Sequence, residues 1–118
     1  MNIEALNQLI SVLESVNSYD FDLLNWHCGS YFCAIGHACQ NQWFIDRGLS
    51  LYKGIYPVFE KPNGGESTNW LAVEQFFDLN EKQTEYLFHV YSYPERSLTK
   101  PSDVIERIKE VISKNGTV

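Results

Sequence analysis

The sequence is poor in the groups that several function classes require. Basic side chains are few: 9 Lys and Arg against 15 Asp and Glu leave a formal charge of −6, and they are scattered along the chain. Binding to nucleic acid or anionic lipid draws on clustered Lys and Arg to neutralise phosphates, so direct contact with either is not expected. No stretch approaches the ~18 uninterrupted apolar residues of a membrane helix. The segment Met1 to Val16 lacks a basic leader and is interrupted by Glu4, so no secretory signal is expected. There are only 3 Cys, an odd number, which fits reduced thiols in the cytosol better than a disulfide framework. Internal repeats, low-complexity tracts and linkers are also missing, which leaves one globular domain over residues 1–118.

What is present is material for a core. Hydrophobic residues make up 44% of the chain and aromatics 14%; large rings carry much of the burial energy of a small domain. Ile3, Leu6, Ile10, Leu13 and Val16 recur at helical spacing, widened by Ala5, Leu9 and Val12, and predict a first helix over Asn2 to Asn17. Ser30, after Gly29, is a natural N-cap for a second helix running to about Gln42. Its stretch Tyr31 to Cys39 is apolar or small on every side, the pattern of a buried central helix. Trp43, Phe44 and Ile45 follow, and Gly48 is a helix stop signal.

Leu49 to Tyr52 and Ile55 to Phe59 predict a small hairpin turning at Lys53-Gly54, with Pro57 confining its second strand to an edge. Pro62 to Gly65 follows as a loop. Ser67 or Thr68 is placed to cap a third helix with Trp70, Val73 and Phe77 on its inner face and Phe76 beside them. Asp78-Leu79-Asn80 breaks that helix. Asn80 and Gln83 have the spacing of a capping box for a fourth helix with the stripe Thr84, Leu87, Phe88 and Tyr91. Pro101 suits the first turn of a fifth helix, whose inner face is Val104, Ile105, Ile108, Val111 and Ile112. The expected fold is mainly α, in the α+β sense: about five helices around a buried central one, with one small hairpin.

The densest reactive segment runs from His27-Cys28 through Cys33 and His37 to Cys39, and three readings of it compete. Cys33 and His37, four apart on a helix, share a face; with Cys28, and His27 or His89, they would make a thiolate–imidazole set of the kind zinc takes. No Cys-x-x-Cys pair accompanies them, and Cys39 faces away. Alternatively Cys28, near a helix N-terminus, is a nucleophile of lowered pKa with His37 or His89 as its base. The structural reading makes the cysteines small hydrophobes and His37 a hydrogen-bonded core histidine. This reading is preferred, so no catalytic residue, metal or cofactor is assigned. The third and fourth helices have the length of a helix-turn-helix, but Glu74, Asp78, Glu81 and Glu85 crowd them, and a plain helical hairpin is the better reading. Tyr91, Tyr93 and Pro94 are candidates for an exposed contact patch or for core packing.

Cys28-Gly29-Ser30 followed by Cys33, Gly36 and Ala38 is similar to a Cys-Gly-Ser/Thr-x-x-Cys-x-x-Gly-x-Ala signature of small bacterial and phage proteins. The likeness extends to Phe21 through Trp26, to Phe76 through Leu79, to Leu87-Phe88 and to Pro101 through Val104. The resemblance implies a prokaryotic or phage origin and a helical fold, and brings no activity with it. The function expected is that of a non-enzymatic module that binds another protein, one with a basic surface, as an inhibitor of a host protein would. The rival is a small cysteine- or zinc-dependent enzyme using Cys28, Cys33 and His37.

Overall fold

The computed structural model describes residues 1–17, 21, 33–94 and 99–118. Among these it contains six α-helices, one 3-10 turn and one three-stranded antiparallel sheet, an α+β arrangement. The helices are α1 (Ile3–Glu14), α2 (Ala34–Ala38), α3 (Gln42–Ile45), α4 (Asn69–Phe77), α5 (Glu81–Phe88) and α6 (Pro101–Ser113). The strands are β1 (Leu49–Tyr52), β2 (Tyr56–Glu60) and β3 (Glu66–Thr68). No described helix is long and apolar enough to cross a membrane.

α1 starts where Asn2 caps it: the Asn2 side-chain oxygen accepts from the Ala5 N–H at 3.1 Å, and its own amide donates to the Phe76 carbonyl. The cap thus also fastens the start of α1 to the end of α4. The buried face is Ala5, Leu6, Leu9, Ile10 and Leu13, so Ala5 and Leu9 lie at its centre rather than its margin. Ile3 is exposed, and the helix stops at Glu14 rather than Asn17.

The long second helix expected from the sequence is two short ones within the described residues. Its proposed cap, Ser30, lies outside them. Cys33 is the N-cap of α2, its sulfur accepting the Gly36 N–H at 3.3 Å. The chain turns after Ala38, and Asn41 caps α3 by accepting from the Trp43 N–H at 3.0 Å. A capping side chain in mid-segment offers the backbone an alternative to a continuous ladder. Ala34, Ile35, Gly36 and Ala38 are all buried.

The hairpin forms as expected, one residue later in its second strand, but β3 joins it and β2 becomes the middle strand. Pro57 therefore stands in a central strand, contrary to the edge position expected for it. The ladder explains why. Successive residues of a strand address opposite neighbours. Glu60 donates to Gly48 at 2.8 Å and Lys61 to Gly65 at 3.0 Å, so residues 56, 58 and 60 face β1 while 57, 59 and 61 face the β3 side. The pairing Phe59↔Ser67 continues to Asn69 opposite Pro57. Asn69 is already the first residue of α4, so the missing proline N–H costs no ladder bond.

Gly48 sits at φ +96°, and a Cβ there would lie 2.4 Å from the Glu60 carbonyl oxygen. Only glycine permits that approach. The capping box of α5 is present as expected, Asn80 accepting from Gln83 at 2.8 Å and Gln83 returning the contact at 2.9 Å. Thr68 is the N-cap of α4 but makes no side-chain bond there. The core joins these pieces through rings: Phe44 of α3 lies 5.6 Å from Phe76 of α4, Phe77 lies 5.7 Å from Phe88 of α5, and Phe59 of β2 meets Phe76 edge-on at 5.3 Å.

Candidate functional site

Of the reactive segment, His27 and Cys28 lie outside the described residues. Cys33 and His37 do fall at the two ends of one short helix. Cys33 is 3% exposed and its sulfur already accepts a backbone N–H. Cys39 is also buried, and desolvation, followed by the nearby Cys33, pushes its thiol far above the ordinary range. A thiol held protonated is a poor nucleophile and a poor metal ligand. His37 is half-buried and stacks on Phe21, centroids 6.2 Å apart and planes 12° apart. His89, the other imidazole considered for this cluster, instead lies on Trp70 at 4.1 Å. Among the described residues no group of three His, Cys, Asp or Glu side chains is disposed to hold a metal ion.

Tyr91 and Tyr93, treated together in the sequence, separate. Tyr91 is 69% exposed, whereas Tyr93 is 5% exposed and donates from its hydroxyl to the Leu87 carbonyl at 2.7 Å. The 3-10 turn Val90–Ser92 rotates the chain out of the α5 stripe, and so Tyr91 does not continue the face of Thr84, Leu87 and Phe88.

Tyr93 belongs to a second site, of which the sequence offered Tyr93 and Pro94 as contact candidates but not the residues of α5 and α6 that complete it. The guanidinium of Arg107, on α6, lies between two tyrosine rings, 3.7 Å from the centroid of Tyr93 and 4.2 Å from that of Tyr86. Three hydrogen bonds fix it there: Nη1 donates to the Tyr86 carbonyl at 2.7 Å and to Ser92 Oγ at 2.9 Å, and Nη2 donates to the Ser92 carbonyl at 2.9 Å. The planar fork of Arg suits both the stacking and the paired bonds. Alternation of Val104, Ile108 and Val111 on the buried side of α6 leaves Asp103, Glu106, Arg107 and Glu110 on its other side.

Beside this arrangement is a cavity of about 330 Å³. Tyr86, Tyr93 and Pro94 give it aromatic and apolar walls, and Thr99, Asp103, Glu106, Arg107 and Glu110 complete it. Residues 95–98, between Pro94 and Thr99, are outside the described set. The Tyr86 hydroxyl donates to Glu110 Oε2 at 2.7 Å, and Lys114 holds Oε1 at 3.0 Å. The Tyr86 hydrogen bond, then that of Lys114, lowers the Glu110 carboxyl below the usual range. The same bond to Glu110 raises the Tyr86 phenol, and desolvation raises Tyr93 far above its ordinary value. The signal available in the sequence was the spacing Asp103, Glu106, Arg107, Glu110 on the polar side of α6; their meeting with Tyr86 and Tyr93 depends on the turn at Val90–Ser92.

No protein-family model matches the chain, and no solved structure matches it. The chain is 34% identical over 70 residues to a probable serine/threonine-protein kinase of Dictyostelium discoideum. The match covers 58% of this chain and 3% of that protein. The sequence of this chain contains none of the phosphotransfer signatures of a protein kinase: neither the G-x-G-x-x-G loop nor the His-Arg-Asp and Asp-Phe-Gly motifs.

Proposed function

We propose that the chain is a non-enzymatic protein-binding module, and that the cavity between α5 and α6 is where it binds. The observation that carries this reading is the geometry of the cavity, where Arg107 is held between Tyr86 and Tyr93 by three hydrogen bonds and Glu110 is held by Tyr86 and Lys114. Glu110 is displaced downward, and Tyr86 and Tyr93 upward. General acid–base catalysis favours groups brought toward neutrality, whereas these are all moved away from it.

Two further parts of the reading belong with it. The buried segment Ala34–Ala38 serves as central scaffolding rather than as a site. The Cys-Gly-Ser segment keeps its likeness to small bacterial and phage proteins and, apart from that likeness, the chain acts in the cytoplasm as an inhibitor of a host protein. Affinity capture with the full chain, repeated with an excess of the untagged chain as competitor, tests the module. One protein retained in fixed proportion and displaced by the competitor is expected. Recovery that follows protein abundance and resists competition would overturn the reading.

A further inference from the structure

Building on that reading, we infer that the cavity between α5 and α6 receives an Arg or Lys side chain from the partner protein. Its lining holds Asp103, Glu106 and Glu110 against one cation, Arg107. That cation is turned inward: its three hydrogen bonds go to Tyr86 and Ser92, and its two faces are covered by rings. Asp103 gives one oxygen to the Lys100 N–H at 2.8 Å, and Glu110 is engaged by Tyr86 and Lys114. Glu106, exposed on the same stretch of α6, makes no hydrogen bond or ion pair within the described structure. The cavity thus offers Glu106 as a carboxylate with no cation paired to it among the described residues, next to Glu110, whose cation is Lys114. Its walls of Tyr86, Tyr93 and Pro94 suit the aliphatic stem of a long basic side chain, which buries its methylenes and keeps its charge at the polar rim. An acidic side chain would meet net repulsion there, and a purely apolar one would strand the carboxylates.

The test is an NMR titration of the isotope-labelled full chain with three blocked tripeptides, Gly-Arg-Gly, Gly-Lys-Gly and Gly-Glu-Gly. The two basic peptides are expected to shift the amides of Thr99, Asp103 and Glu106 saturably, and the acidic one to leave them in place. Glu106→Gln should weaken the basic peptides by about two- to fivefold, the range of a single exposed ion pair. Glu60→Gln, an exposed carboxylate on β2, should leave binding unchanged. Shifts spread evenly over the exposed carboxylates, or equal losses in the two variants, would mean diffuse attraction and would overturn the inference. Absence of shifts at the cavity overturns it as well, while partner capture by the same chain would keep the module reading standing without it.

Discussion

The guanidinium carbon of Arg107 lies 3.7 Å from the ring centroid of Tyr93 while the Tyr93 hydroxyl donates to Leu87 at 2.7 Å. One residue ties α6 to the turn after α5, and the other ties that turn back to α5 itself. Removing the guanidinium would take one donor from the Tyr86 carbonyl, which keeps Ser92 Oγ at 3.1 Å, would take the Nη2 donor from the Ser92 carbonyl, and would uncover both rings. Arg107→Ala is expected to cost about 2–4 kcal/mol, from hydrogen bonds to a charged donor and cation–π contact. Arg107→Lys keeps the charge but not the planar fork and should recover only part of that. Urea unfolding curves of the two variants check the order.

The described thiols should be chemically silent in the native state. Cys33 and Cys39 are 3% and 2% exposed, and burial keeps the Cys39 thiol protonated. Alkylation followed by peptide mapping is expected to label both only when the chain is unfolded. Labelling of either one in the native state at the rate of a free thiol would count against the scaffolding role of α2.

His89 gives the fold a specific pH dependence. Burial lowers its pKa from the ordinary 6.5, opposed by Glu85, Glu74 and Glu81. A depressed folded value means the unfolded chain takes up the proton first as pH falls. Stability should therefore decline from about pH 6.5 downward, and level off once the folded ring also protonates. His89→Phe keeps a ring on Trp70 and removes the titration. Its denaturation midpoint should fall less between pH 7 and pH 5 than that of the parent; parallel curves would remove His89 from the explanation.

Ser67 is buried on β3, and its hydroxyl has no hydrogen-bond partner among the described residues. An unsatisfied buried hydroxyl opposes folding, so Ser67→Ala should raise stability by up to about 1 kcal/mol. A loss of similar size in thermal and urea unfolding would show that the hydroxyl is satisfied in solution.

Much of the architecture is legible in the sequence where periodicity and capping agree. Asn80 with Gln83, Pro101 in the first turn of α6, and the apolar spacing of Val104, Ile108 and Val111 locate their helices well. The readings that changed depend on information outside the local window. The run from Tyr31 to Cys39 is apolar all round, which masks the competing caps Cys33 and Asn41. β3 has only the three residues Glu66–Thr68 and exists because β2 offers it an edge. The Arg107 site was least visible, since Tyr86, Ser92, Tyr93 and Arg107 are brought together by a turn that interrupts the stripe Thr84, Leu87, Phe88. Cys28 and His27 lie outside the described residues.

The imino nitrogen at position 57 sets a terminus that no side chain could set as firmly. Opposite it the third strand is offered no donor, and the backbone after Thr68 winds into a helix instead of zipping onward. A chain with Pro57→Val would regain that donor and let the ladder compete with the opening turn of α4 for the same residues. The boundary between extended and helical chain at 68–69 is therefore written twelve residues upstream, in one missing hydrogen.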